Sequence, residues 1–410
     1  MVVGSKLACR EMMLSRSKNV GIVGAGIGGL TAAIALRQFG HDVTVFEQAK
    51  KPSEIGAGII VGPNAVKVLR ALDLGSELDR IAVEPGKHRL RNWKTGRIMF
   101  DQPMGESFRE RFGAGYLQVH RADLIEILVR KLPADRVCLS SRAASVRQDS
   151  SAAALVLENG KELEFDMLVG ADGIKSAVRS SLFGLESPRF TGNVCWRGTV
   201  PSEDVPQGVF SSDIHVWVGP GGHVVNYYIR GGKLMNFIAI HQADDWSAES
   251  WSFDADREEL ARRYADWHPA LAAMFERATA CSKWALFDRD PMSRWSEGRV
   301  TLLGDAAHPM LPYLAQGAAM AMEDGIVLAK LITREVDIVP ALQRYEKIRL
   351  PRTTRTQLGA RARAKQNHMT SPVARLMRDI GLGLRRTFRP SSTSYNVEWL
   401  YEYDAALAVD

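Results

Sequence analysis

Residues 19–48 read NVGIVGAGIGGLTAAIALRQFGHDVTVFEQ, and the fold turns on how this stretch is parsed. Val20, Ile22 and Val23 make a short apolar strand, and Gly24-Ala25-Gly26-Ile27-Gly28-Gly29 follows without a break. Residues 30–36 read as a helix that stops at Gly40, and a second strand over residues 43–46 delivers Glu47. A lone G-x-G-x-x-G is a weak signal; a strand before it and a helix after it make it a dinucleotide-binding fingerprint. Gly24 permits the tight turn, Gly26 lets the backbone approach a pyrophosphate, and Gly29 lets the helix pack closely on the strand. Unpaired amides and the positive end of the helix dipole hold the phosphates. Glu47, 18 residues beyond Gly29 and followed by Gln48, is placed to accept hydrogen bonds from an adenosine ribose. This stretch alone leaves NAD and FAD both open.

The rest of the composition bounds the answer. A chain of 410 residues with 46% hydrophobic and 24% charged residues has the balance of a soluble protein holding two domains, or one with an insertion. That balance excludes disordered, collagen-like and disulfide-scaffold classes. The net charge is +6, and residues 344–390 hold thirteen Lys and Arg against only Glu346 and Asp379. The body is therefore slightly acidic and the C-terminal segment basic, the wrong layout for a nucleic-acid binder. Its helical-looking part, residues 345–365, is expected to present a solvated or subunit-facing surface. Cys9, Cys138, Cys195 and Cys281 are scattered without zinc-ligand spacing, as reduced thiols of a cytoplasmic protein would be, and no metal is assigned. Residues 1–18 lack the apolar core of a leader and are expected to be a flexible extension, with Met12 or Met13 as alternative starts. No apolar run reaches the ~18 residues of a membrane span.

Two later segments carry the reading from NAD or FAD to one of them. Residues 165–179, FDMLVGADGIKSAVR, are an apolar strand, an Asp-Gly turn and a helix start; residues 299–310, RVTLLGDAAHPM, repeat that logic. With the fingerprint, these motifs make the chain resemble the single-component FAD-dependent aromatic hydroxylases, the para-hydroxybenzoate hydroxylase family, over roughly residues 19–403. The resemblance implies FAD as cofactor. Asp305 would bond the ribityl chain, and Arg121 would contact the flavin side chain or its phosphates. Asp172 is associated with the pyrophosphate and with nicotinamide binding. No second fingerprint is present, which fits an NADH or NADPH that binds only transiently. Gln316, Gly317 and Ala318, small residues opening a helix, would aim its positive end at the flavin pyrimidine. Gly58, Gly62, Pro63 and Asn64 match a loop that such proteins place beside the isoalloxazine. The implied chemistry is reduction of FAD by NAD(P)H, reaction with O2, and transfer of a hydroxyl from a C4a-hydroperoxyflavin to an electron-rich ring.

The middle of the chain reads as a sheet, with strand-like runs over residues 194–200, 214–218 and 235–240. His223 and Tyr227 are four apart, which puts both on one face of a strand and makes a proton-abstracting pair one reading. A half-buried sheet His and Tyr is the other. The resemblance favours the first, because the hydroxybenzoate and hydroxynicotinate hydroxylases of the family carry a substrate-site pair at this spacing. Ile60 and Pro312 depart from those two patterns, and residues 399–404 look like salicylate hydroxylases, so the aromatic acid itself stays open. His308 reads as structural or as lining the substrate cavity; the other histidines form no cluster of metal spacing. Two alternatives stand beside this reading: an FAD monooxygenase of a larger non-carboxylate substrate, and a flavin-binding regulator without turnover.

The expected architecture is α/β (α+β): a Rossmann-type FAD-binding domain with an inserted, mostly β substrate domain and C-terminal helices. Residues 19–76, 115–183 and 286–349 would form the discontinuous FAD domain, 77–114 and 184–285 the substrate domain, and 350–410 helices packed across both. A monomer or homodimer is expected, with a small aromatic acid, O2 and NAD(P)H as partners, and neither nucleic acid nor membrane.

Overall fold

The computed structural model describes residues 17–51, 57–243, 255–388 and 396–409. Its first layer is a six-stranded sheet in the order Ser296–Glu297, Val300–Leu302, Met167–Gly170, Asn19–Val23, Asp42–Phe46, Val137–Cys138. Every pairing is parallel except that of Ser296–Glu297. The near-continuous apolar runs follow from burial on both faces, as parallel sheets require. Against it lies the fingerprint helix Ile27–Gln38, buried at every residue from Ile27 to Leu36. That helix is covered in turn by Gly317–Arg334. Small residues allow this approach: a Cβ on Gly28 would come 2.8 Å from Ala321 Cβ, and one on Gly325 would come 2.8 Å from the Ala32 nitrogen.

The second layer is a seven-stranded sheet ordered Ala280–Asp288, Arg189–Pro201, Leu234–Gln242, Gly222–Ile229, Ile214–Gly219, Lys87–Asn92, Ile98–Pro103. All three strands expected from the sequence lie in it. One face packs Trp196, Trp217 and Phe237 against the helices Arg257–Arg263 and Pro269–Glu276. The opposite face carries Tyr227, Cys195 and Ile240 toward the first layer. A three-stranded sheet, Ala143–Gln148, Ala153–Leu157 and Glu162–Phe165, flanks the Rossmann half.

Three expectations change. The stretch read as a flavin loop is largely regular: Gly58–Val61 is a strand pairing antiparallel with Leu117–His120, and Pro63 opens the helix Pro63–Ala71. The boundaries at residues 286 and 349 both cut elements, since Ala280–Asp288 is one strand and Ile338–Asn367 one helix despite Pro351. Residues 345–365 form a solvated surface on one face only, where Lys347, Arg355, Leu358 and Lys365 are exposed. Tyr345, Arg349, Thr353, Thr356, Gln357 and Ala360 are buried, because the helix packs along Gly317–Arg334 and its arginines answer carboxylates there. The next helix, Pro372–Phe388, rests on Ile98–Pro103 and leaves Val373, Met377, Ile380 and Leu384 exposed.

Candidate active site

The flavin wall starts at the fingerprint. Gly24 has φ +106°, and a Cβ on it would overlap the Ala171 carbonyl oxygen. A Cβ on Gly29 would overlap the Gly24 carbonyl oxygen, so helix and loop touch backbone to backbone. Gly26 is different: a Cβ there meets no atom within 4 Å. It is also the N-cap of the fingerprint helix, so no side chain caps the first-turn amides. Glu47 supports this cradle. Its Oε2 accepts from the Ala25 amide and its Oε1 from the Ala49 amide, each at 2.8 Å. The carboxylate keeps lone pairs for further donors, and Gln48 lies exposed beside it.

Asp172 sits with its Cα beside Gly24, but its carboxylate is committed locally. Ser176 Oγ donates to Oδ1 (2.5 Å), and the Ala177 and Val178 amides donate to Oδ2 (2.8 and 3.2 Å), capping the helix Ala177–Phe183.

At the far end of the flavin wall stand Asp305, Gln316, Gly317 and Ala318. Ala315 adopts φ +52°, a left-handed conformation costly for a residue with a Cβ, and this turns the chain into Gly317–Arg334. A Cβ on Gly317 would lie 4.0 Å from Asp305 Oδ1. Solvent reaches Asp305, yet protein surrounds it, and that burial raises its carboxyl while His308 and Arg121 oppose the rise. Its carboxylate accepts no hydrogen bond from any described residue. Arg121 opens the helix Arg121–Arg130, its amide held by the Ala57 carbonyl at 2.9 Å. Gln316 is buried; its Oε1 accepts from Asn64 Nδ2 (3.0 Å), whereas its Nε2 has no partner and would lie 3.4 Å from a Cβ on Gly62. An open glycine cradle, a partnerless carboxylate and a partnerless buried amide fit a dinucleotide stretched from Glu47 to Gly317.

Behind this wall runs a buried ionic network that the sequence reading missed. Arg349 Nη1 pairs with Glu323 Oε2 (2.7 Å) and its Nε with Asp324 Oδ1 (2.8 Å). Arg352 makes a second pair to Glu323, and Asn64 Nδ2 donates to Glu323 Oε1 at 2.6 Å. Burial alone would raise the Asp324 carboxyl; His308, at 2.6 Å, and Arg349 hold it down to about 2. His308 is thus structural, one of the two roles open for it.

The substrate wall meets the flavin wall at Gly58. A Cβ there would lie 2.7 Å from Asn236 Cγ and 2.8 Å from Tyr227 Cε2. Asn236 Oδ1 accepts the Gly58 amide (2.7 Å), and Arg197 Nη2 donates to the Gly58 carbonyl (2.5 Å). Arg197 Nε is buried without a partner. Arg197 and Asn236 escaped the sequence reading, since nothing local marks a strand Arg or Asn that will face a residue more than a hundred positions away. Tyr227 is 1% exposed, and Ile60 packs in its cluster. Burial raises its phenol well above the usual range, against the opposing charge of Arg197, so Tyr227 stays a neutral donor at physiological pH.

His223 shares the face with Tyr227 but does not pair with it. Four strand residues separate their Cα atoms by about 13 Å. Its ring instead lies 5.4 Å from Tyr313 and 5.1 Å from His368, and its Nδ1 is 2.9 Å from His368 Nε2. Burial pushes its imidazole well below the ordinary value, and His368 and Arg363 add to that. Pro312, next to Tyr313, is exposed. Among the described residues no group of three His, Cys, Asp or Glu could hold a metal ion, and no helix is long and apolar enough to cross a membrane.

Comparison with known proteins accords with this geometry. A family model described as an FAD binding domain matches residues 17–358. The 3-amino-4-hydroxybenzoate 2-monooxygenase of Streptomyces platensis is 37% identical, over 94% of this chain and 96% of its own. The 3-hydroxybenzoate 6-hydroxylase of Polaromonas naphthalenivorans is 36% identical, over 93% and 95%. The 6-hydroxynicotinate 3-monooxygenase of Pseudomonas fluorescens is 35% identical, over 78% and 83%. A solved structure of Klebsiella pneumoniae HpxO with FAD and uric acid aligns with a TM-score of 0.82 at 28% identity, over 95% of this chain and 97% of that one.

Proposed function

The chain belongs to the FAD binding domain family of flavin-dependent monooxygenases, and from that premise we propose that it hydroxylates a small aromatic acid of the hydroxybenzoate class with NAD(P)H and O2. The observation that carries this reading is the convergence at Gly58, where Tyr227, Asn236 and Arg197 of the substrate sheet touch the edge of the flavin wall.

When bound, FAD supplies the redox chemistry, accepting hydride from NAD(P)H and delivering one oxygen atom of O2 to an electron-rich ring. The residues of this chain do the rest. Glu47 and the amides beyond Gly26 hold the adenosine and pyrophosphate end, with Gln48 and Arg121 beside them. Asp305 takes the ribityl hydroxyls. The amides of Gly317 and Ala318, at the positive end of an 18-residue helix, stabilise negative charge on the ring system, and Gln316 adds a donor. Asp172 acts on the pyrophosphate through the backbone it caps.

Arg197 supplies the cation for a substrate carboxylate. Tyr227 keeps its proton and donates to the substrate, while His223, held neutral, accepts a proton from a substrate hydroxyl and so makes the ring more nucleophilic. The bond broken is O–H; the proton goes to the imidazole, and the electron pair stays on the ring oxygen. Ile60 keeps the cavity wall apolar and disfavours entry of water.

The test is a panel of hydroxybenzoates, aminohydroxybenzoates, salicylate and hydroxynicotinates offered to the flavinated protein. One class is expected to stimulate NAD(P)H oxidation and yield hydroxylated product in proportion. Stimulation that produces only hydrogen peroxide across the panel overturns the reading. Tyr227→Phe is expected to lower hydroxylation by about 10²-fold or more with FAD content unchanged.

A further inference from the structure

We propose that His368 and Asn193 are positioning residues that lock His223 in one tautomer, with a bare Nε2, and thereby require a hydroxyl or ring N–H donor on the substrate at that point. The proposal rests on the reading of His223 as a substrate-site residue.

The hydrogen-bond chain leaves one consistent proton assignment. Asn193 Nδ2 donates to the Thr191 carbonyl (2.9 Å), which orients the amide and turns Oδ1 toward His368 Nδ1, also at 2.9 Å. A carbonyl oxygen only accepts, so His368 carries its proton on Nδ1. His368 is buried, and burial lowers its imidazole to about 4, so it is neutral and its Nε2 is bare. That bare nitrogen lies 2.9 Å from His223 Nδ1, which must therefore be the protonated nitrogen of His223. A neutral His223 then has its lone pair on Nε2, which makes no hydrogen bond to any described residue.

Two consequences follow from elementary chemistry. A hydroxyl or N–H can donate to Nε2, but a carboxylate or an ether would face lone pair against lone pair. The substrate carboxylate is thus directed away from Nε2, toward Arg197, which stands two strands over at the level of Val225. When His223 takes the substrate proton, its Nδ1–H donates more strongly to His368, and the chain ending on the Asn193 carbonyl spreads the charge. The chain ends on an amide and not on a carboxylate, so the imidazolium is held only transiently. The groups facing His223 are Arg363 from the long helix, His368 that caps its C-terminus, and Tyr313 from the opposite wall, with His241 on the neighbouring strand near His368.

The experiment uses the flavinated full chain with 15N-labelled histidine. The 15N shifts are expected to show His223 as the Nδ1–H tautomer in the wild type. His368→Gln preserves the chain, since its amide can donate to Asn193 and accept from His223; it is expected to keep that tautomer and near-wild-type hydroxylation. His368→Phe removes the acceptor; tautomer mixing and a loss of hydroxylation between about tenfold and a hundredfold are expected, with the acidic limb of its pH profile displaced and FAD content unchanged. A methyl ether of the best hydroxy acid is expected to lose stimulation of NAD(P)H oxidation in the wild type. An Nε2–H tautomer in the wild type, or His368→Phe with an unmoved rate and pH profile, overturns the proposal. Should His368→Phe fail to fold, the wild-type tautomer and the His368→Gln rate still decide it. Failure of the underlying reading looks different: His223→Ala would then hydroxylate normally, whatever the tautomer.

Discussion

On the flavin wall the groups that face the cleft are mostly backbone: amides beyond Gly26, amides at Gly317 and Ala318, and glycines where a Cβ would collide. On the substrate wall they are side chains, Arg197, His223, Tyr227 and Asn236, standing on three strands of a sheet. The flavin wall tolerates little because a backbone surface cannot be repacked. The substrate wall is tuned by burial, which moves the protonation of its histidines and tyrosines without altering the fold. In the proposed function, one wall would bind by shape and dipole and the other would work by where protons sit.

The largest expected effect divides the glycines of the flavin wall. Gly29→Val forces a side chain into the Gly24 carbonyl and is expected to yield no soluble flavinated protein. Gly26→Val places its side chain in space that no protein atom occupies, so it is expected to fold as apoprotein and to lose FAD affinity by tenfold or more, about 1.4 kcal/mol per factor of ten. Circular dichroism and FAD titration separate the two; equal loss of fold in both would erase the distinction between packing and cradle glycines.

Next comes Arg349→Met, which leaves Glu323 and Asp324 buried without their main cation. A loss of about 3–5 kcal/mol in denaturant unfolding is expected. A loss under about 1 kcal/mol would mean Arg352 and His308 suffice for both carboxylates.

The smallest effect sets the walls apart by pH. Burial lowers His88 and His368 to about 4 and His215 and His241 to about 3, all in or against the seven-stranded sheet; arginines near His88, and near His215 and His241, add to it. Their folded values lie below the unfolded ~6.5, so the unfolded chain binds more protons and stability falls as pH drops from about 6.5 to about 4 and, for His215 and His241, to about 3. Asp324 has the opposite charge type: its folded value near 2 gives stability that persists down to about 3.9 and is lost only below that. The Rossmann half has such histidines too: burial, with Lys18, lowers His41 to about 4, and burial, with Arg230, lowers His120. Fluorescence of Trp196 and Trp217 is therefore expected to report loosening of the sheet below pH ~6.5, before flavin is released. Simultaneous changes would merge the two walls into one cooperative unit.

The Rossmann half was legible because its requirements are local. Strand, turn, helix and second strand lie within residues 19–48, and the structure builds each of them there. The three strands read in the middle of the chain are real, since β-branched and aromatic alternation is also a local property. Arg197 sat in plain view within one of them, but its meaning depends on Gly58, brought beside it by the packing of two layers. The buried face of the basic C-terminal helix escapes a reading of the sequence for a related reason. Counting charge cannot tell an arginine in water from Arg349, which turns inward because Glu323 and Asp324 lie on the helix it packs against.

By itself, then, the sequence determined the cofactor class, the Rossmann frame and the face of the sheet that carries His223 and Tyr227. Glycine spacing and strand alternation are constraints that a chain satisfies with its near neighbours. Only the tertiary structure decided that Tyr227 meets Gly58, that His223 leans on His368 from 145 residues away, and that Asp172 spends its carboxylate on a helix cap. The first two contacts join residues distant along the chain, and their energies come from burial and hydrogen bonding that exist only once the layers have closed; the Asp172 cap is local, but the sequence left its carboxylate free for either role.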